Sequence, residues 1–204
     1  MTSFEYLATV PVFSVRKACW QHSAWIWCCV ALLVTGTTTS CDSVVPDPKR
    51  LLLQDDFEQP SAARPTPEQF SSDQAHSWEH SMKVGQGLEF GTLSSGTWAD
   101  LGQHRRLRLR LWGWLRAPQQ RTANLIIVSQ RPNATPGAPA EEKSRHEFNL
   151  YEVIRRYQQW VPATYTMELP PDLQPTDEVV VYMWVPSGQP DAVYIDDFSI
   201  EYLD

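Results

Sequence analysis

The chain has 204 residues, a formal net charge of −7 and 42% hydrophobic residues, enough at ~150 residues per domain for a leader and one folded unit with its own core. Its acid surplus disfavours nucleic acid and anionic headgroups as partners, since like charges repel across such an interface. All four cysteines, Cys19, Cys28, Cys29 and Cys41, lie in the first 41 residues, which excludes an internal disulfide or a thiolate metal site beyond them.

Arg16 and Lys17 precede an apolar run, Ala24–Val34 (AWIWCCVALLV). The run is too short to span a bilayer, which needs ~20 residues, but has the length of a signal-peptide core. Small and hydroxylated residues follow over Thr35–Ser40, and then Cys41-Asp42-Ser43. This arrangement resembles the lipobox of bacterial lipoproteins, although Thr38 stands where that family usually has leucine. The resemblance implies a signal peptide over residues 1–40, a lipid on Cys41 and a domain held in the cell envelope, outside the cytoplasm. The alternative is an unpaired Cys41 after an ordinary signal peptide. Without residues 1–40, which hold Arg16, Lys17 and Glu5, the chain keeps 15 basic and 23 acidic residues, a net charge of −8.

Residues 41–50 end in a polar stretch with two prolines (DSVVPDPKR from Asp42), which suits a short extended tether before a domain over 51–204. From Leu51 onward the apolar residues follow period two, the mark of strands. Strands are expected over Leu51–Glu58, Ser77–Val84, Gly87–Gly91, Arg105–Ala117, Ala123–Gln130, Ser144–Tyr151, Thr164–Leu169, Glu178–Val185 and Ala192–Tyr202. Prolines fall mostly between these runs, where they do not break a ladder. The pattern predicts an all-β, two-sheet β-sandwich of the jelly-roll kind. Arg131–Lys143 lacks bulky apolar residues and reads as a mobile loop, and Tyr151–Trp160 as an irregular connection with room for one helical turn.

Three segments carry a further resemblance: Asp55-Asp56-Phe57-Glu58, Val181-Tyr182-Met183-Trp184-Val185 and Val193-Tyr194-Ile195-Asp196-Asp197-Phe198. They resemble galactose-binding-like jelly rolls, in particular carbohydrate-binding modules with a Phe-Glu opening strand and an Ile-Asp-Asp closing strand. The resemblance spans Leu51–Asp204 and implies that the first and last strands are neighbours, with a structural calcium often held between an early glutamate and a late aspartate. The charges agree, because carboxylates at 55, 56 and 58 would repel those at 196 and 197 without a cation. Glu58 and Asp196 are the expected ligands and Asp56 and Asp197 the alternates, within the ~6–8 oxygens calcium takes. The other reading makes them surface acids and turn caps.

Arg105–Ala117 alternates strictly, with Leu107, Leu109, Leu111 and Leu115 on one face and Arg106, Arg108, Arg110, Trp112, Trp114 and Arg116 on the other. The leucines must face the core. Indole stacks on sugar C–H faces and guanidinium donates to hydroxyl or carboxylate oxygens, so the opposite face is a candidate glycan surface, with uronates favoured by the arginines. Tyr182 and Trp184 pose the same question from another strand, and one shared sheet face would join both pairs. The plainer reading packs the tryptophans under a loop and pairs the arginines with local acids.

Catalytic signatures are absent: no Gly-x-Ser-x-Gly elbow, no phosphate loop, and no histidine pair with a third metal ligand, His76 and His80 beside Trp78 included. The expectation is a non-catalytic envelope lipoprotein that binds carbohydrate. The alternatives are an adhesion or structural lipoprotein docking an envelope protein, and a small glycan-cleaving enzyme, which needs two carboxylates across a cleft.

Overall fold

The computed structural model describes residues 45–59, 67–117, 122–135 and 137–204. The leader over 1–40 and Cys41 lie outside the described residues. Among the described residues the strands are β1 (Leu51–Asp55), β2 (Phe70–Ser71), β3 (Ser81–Val84), β4 (Phe90–Thr97), β5 (Arg106–Trp114), β6 (Asn124–Arg131), β7 (Glu141–Asn149), β8 (Trp160–Glu168), β9 (Glu178–Trp184) and β10 (Val193–Tyr202). One helical turn, α1 (Leu150–Val153), follows β7, capped by the Asn149 side chain, which accepts from the Tyr151 N–H. No helix among the described residues is long and apolar enough to cross a membrane.

The strands form two antiparallel sheets, as period-two patterning predicts. One is six-stranded, in the order β2-β3-β10-β5-β8 with β1 also paired to β10, and the other is four-stranded, in the order β4-β9-β6-β7. An apolar core lies between them: Leu107, Leu109 and Leu111 of β5 meet Leu125 and Ile127 of β6 and Val179, Val181 and Met183 of β9 in one buried cluster. The chain is therefore a two-sheet β-sandwich. Gly113 sits on the inward side of β5 between Trp112 and Trp114, and a Cβ there would come within 2.6 Å of Ile154 Cδ1. The missing side chain lets Ile154, just after α1, pack onto the strand backbone and close that end of the core.

β10 carries the feature that shapes the outer surface. Its register against β5 shifts between Asp196 and Ser199, and Asp197 takes a φ of 48°, a β-bulge that inserts one residue and resets the alternation. Tyr194 and Asp196 therefore face outward before the bulge and Ser199 and Glu201 after it, while Ile195, Phe198 and Ile200 all stay in the core.

Several element ends differ from the sequence expectation. The opening strand stops at Asp55, because the Asp55 carboxylate accepts the Phe57 N–H at 2.8 Å and Phe57, with φ 59°, turns its ring into the core. The strand expected from Ser77 begins only at Ser81, since His76, Ser77, Glu79 and His80 give their N–H groups to carboxylates instead of a neighbouring strand. The segment expected as a strand over Gly87–Gly91 opens with a tight turn, in which Gly85 and Leu88 exchange backbone bonds, and extends instead to Thr97. The expected 131–143 loop is shorter at both ends, because Arg131 pairs with Glu141 and Gln130 with Glu142. The two-residue β2 is too short to show a period.

Of the expected tether, residues 45–50 are described, and they lie against the six-stranded sheet. The Asp47 N–H donates to the Glu201 carboxylate, and the Tyr202 hydroxyl donates to the Lys49 carbonyl at 3.2 Å.

Candidate functional site

The two outer sheet faces separate the residues that sequence reasoning grouped. Trp112, Trp114, Arg108 and Arg110 lie on β5 of the six-stranded sheet, whereas Tyr182 and Trp184 lie on β9 of the four-stranded sheet. Their inward neighbours, the leucines of β5 and Val181 and Met183 of β9, share one core, so the two sets point away from each other. The shared face that would have joined the two pairs is not formed, because strand alternation fixes which way a residue points but not which sheet its strand joins.

On the six-stranded sheet the aromatic side chains are covered by the chain itself. The His76 imidazole stacks on Trp112, with centroids 3.8 Å apart and planes at 17°, and meets Trp160 edge-on at 5.8 Å. Trp114 packs edge-on against Tyr194 at 5.5 Å. Two arginines of the run meet acids: Arg110 Nε donates to Glu201 at 2.9 Å in a buried pair and Arg116 donates to Asp191 at 3.4 Å, while Arg106 lies opposite Glu168 in register. Arg110, at the centre of the face, already has its counter-charge and so offers a uronate less than an unpaired guanidinium would.

His76 is held over Trp112 by the closing strand. The His76 and Ser77 N–H groups donate to Asp196 Oδ2 at 2.8 and 3.0 Å, and the Asp197 N–H to Asp196 Oδ1 at 2.8 Å. Asp197 Oδ2 lies 2.6 Å from His76 Nδ1, and its other oxygen accepts the Ser77 hydroxyl. Burial pushes the Asp196 carboxyl up to about 6 against the pull of these three N–H groups, with the Asp197 charge adding to the rise. At the other end of the segment Glu58 Oε1 accepts the Glu79 and His80 N–H groups and Oε2 lies 3.1 Å from His80 Nδ1. Burial there is outweighed by these bonds, which hold Glu58 below the usual carboxylate range. Between these anchors Trp78 is 83% exposed with φ 52°, a conformation a bulky side chain adopts only under constraint.

This arrangement bears on the expected calcium ligands. Among the described residues no group of three or more His, Cys, Asp or Glu side chains is placed to hold a metal ion. Glu58 and Asp196 spend their oxygens on backbone N–H groups, Asp197 on His76 and Ser77, and Asp56 accepts the Glu58 N–H at 3.2 Å. The donor set does not fit a calcium site, because segment 76–80 inserts N–H groups and imidazoles where the sequence suggested a cation.

The four-stranded sheet presents a different face. In register across it lie Phe90, Trp184 and Asn124 in one row and Thr92, Tyr182, Ile126 and Glu147 in the next. Phe90 is 55% exposed and its ring lies 6.1 Å from that of Tyr182, with Trp184 half-buried beside it. The polar side chains stand on β6 and β7: Asn124 Nδ2 donates to Glu147 at 3.3 Å, and Arg145 donates to the Tyr182 hydroxyl at 3.1 Å and to Glu142 at 2.8 Å. Asn124 is 8% exposed and its Oδ1 is buried with no hydrogen-bond partner among the described residues. Sequence reasoning found Tyr182 and Trp184 through their alternation but missed Phe90, Asn124, Arg145 and Glu147, which join them only through cross-strand pairing.

No protein-family model matches the chain, and no curated protein sequence matches it. Solved structures resemble it at low identity. The N-terminal CBM22-1-CBM22-2 tandem domain from Paenibacillus barcinonensis Xyn10C is 13% identical over 76% of this chain, with a TM-score of 0.49, and this chain spans half of that tandem's length. The CBM22-2 xylan-binding domain of the same protein is 13% identical over 74% of this chain and 99% of its own, with a TM-score of 0.47. The C-terminal family 22 carbohydrate-binding module of Clostridium thermocellum Xyn10B is 12% identical over 77% and 97%, with a TM-score of 0.43.

Proposed function

We propose that this chain is a non-catalytic, lipid-anchored envelope protein whose sandwich binds neutral glycan on the outer face of the four-stranded sheet. The observation that carries the reading is Trp184 in register beside Asn124, with the rings of Phe90 and Tyr182 next to it and the Asn124 carbonyl oxygen buried without a partner among the described residues. Sugar rings stack their C–H faces on such side chains, and a ring hydroxyl donating to Asn124 would satisfy an acceptor whose isolation costs about 1–3 kcal/mol. Neutral sugars suit the face because Arg145 is already engaged by Glu142, while the net charge of the domain repels anions.

Catalysis is not part of the proposal. Glu147 is tied to Asn124 and Glu142 to Arg145, and the carboxyl that burial raises, Asp196, lies on the other sheet beneath the backbone of residues 76–77. The leader motif supports the anchor on Cys41.

Native gels cast with neutral polysaccharides (hydroxyethyl cellulose, galactomannan) and acidic ones (pectin, alginate) test the reading. Retardation by a neutral polymer is expected, and migration unchanged by all of them contradicts it. A second reading, docking of an envelope protein, is favoured by Trp78, whose exposed ring and constrained backbone make a ready contact. Pull-down of one partner that Trp78→Ala abolishes, without glycan retardation, would establish that reading instead.

A further inference from the structure

The outer face of the six-stranded sheet holds a pocket that the glycan strip leaves unused. Its volume is about 340 Å³, at the small end of ligand sites. Its floor is a row of side chains across four strands, since Gln54 of β1 is in register with Ser199 of β10, Ser199 with Arg110 of β5, and Arg110 with Thr164 of β8. One wall is Trp112 under His76, with Pro162 beside it, and the opposite wall is Val45 and Pro46.

Two properties of this pocket select its ligand. The charged groups that line it are engaged from within, Arg110 by the buried Glu201 and both Asp197 oxygens by the His76 imidazole and the Ser77 hydroxyl. An ionised ligand would therefore lose its hydration without gaining an unmatched counter-charge. The floor meanwhile offers hydroxyl and amide groups. Gln54 and Thr164 are exposed, and Ser199 is 1% exposed with a buried hydroxyl that has no partner among the described residues. An isolated buried hydroxyl is costly unless a ligand or an ordered water bonds it.

We infer that this pocket is a second binding site, for a single neutral sugar ring, with Ser199, Thr164 and Gln54 bonding its hydroxyls and Trp112, Pro162 and Pro46 packing on its C–H surface. It goes beyond the glycan strip and does not depend on it, because the two sites lie on opposite outer faces.

Saturation-transfer difference NMR on the full chain tests it, with the methyl pyranosides of glucose, galactose, mannose and xylose as probes and sodium glucuronate beside them. At least one neutral glycoside is expected to show saturable enhancement in the millimolar range, and glucuronate none. Thr164→Tyr, at an exposed position, fills the pocket and should abolish the signal with circular dichroism unchanged. Gln54→Tyr fills it from the other end of the row should the first variant disturb folding. All variants are read in the Trp184→Ala background, so that the strip on the other sheet adds no signal of its own. No enhancement from any neutral glycoside would mean that the pocket holds only water and would overturn the inference. So would a signal absent from the Trp184→Ala background, one that survives both filling variants there, or stronger binding of glucuronate.

Discussion

The imidazole of His76 lies flat on the indole of Trp112, 3.8 Å between centroids, and is fixed there by the carboxylates of Asp196 and Asp197. The closing strand thus spends its acidic pair on holding a loop over the most conspicuous aromatic residue of the sequence. Trp112 is a wall of a pocket instead of an open platform.

His76→Ala should uncover that indole. The stacked pair contributes about 0.5–1.5 kcal/mol beyond burial, and a domain of this size loses roughly 2–4 °C of Tm per kcal/mol. The variant is expected to melt a few degrees lower and to show greater acrylamide quenching of tryptophan fluorescence. Unchanged quenching would mean that the loop stays in place without the ring.

Asp196 gives the fold a pH signature. Its folded-state pKa is raised to about 6 by burial, against ~3.9 for an unperturbed aspartate. A raised pKa means that the folded state binds the proton more tightly, so this contribution is complete below about pH 4 and lost as pH rises through 6. Asp196→Asn cannot ionise. The stability of the wild type relative to this variant, from urea melts, should therefore decrease between pH 4 and pH 7, and a difference that is flat or grows would contradict the assignment.

Chelation separates the two accounts of the acidic strand ends. Backbone N–H groups and imidazoles already occupy Glu58, Asp196 and Asp197, so millimolar EDTA should leave Tm within about 1 °C, whereas a structural calcium would stabilise through binding linkage by several times that. A fall of 5 °C or more, restored by calcium, would reinstate the cation.

The lipid anchor has its own readout. The native chain expressed in a bacterial host should enter the detergent phase of a Triton X-114 extract and Cys41→Ala the aqueous phase. Equal partition of the two would remove Cys41 from the proposal.

The sandwich was legible in the sequence because strand alternation is local: Leu107, Leu109 and Leu111 against Arg108, Arg110 and Trp112 can face only one way. Pairing was not legible. Nothing near Trp184 indicates that it belongs beside Asn124 and Phe90, and nothing near Trp112 indicates a covering loop that starts 36 residues earlier in the chain at His76. The bulge at Asp197 also reverses the parity of β10, so a continuous alternation drawn from Tyr194 places Ser199 and Glu201 on the wrong face. The acidic ends were read correctly as meeting across the fold, but their neutralisation by segment 76–80 depends on a loop conformation that period-two reasoning takes for strand.

The most direct test of the central claim is isothermal titration of one neutral polysaccharide, hydroxyethyl cellulose or galactomannan, whichever retards the native chain, into wild type, Trp184→Ala and Trp112→Ala. At least a tenfold loss of affinity, about 1.4 kcal/mol, is expected for Trp184→Ala and little change for Trp112→Ala. The reverse order would place chain-glycan binding on the six-stranded sheet and contradict the account.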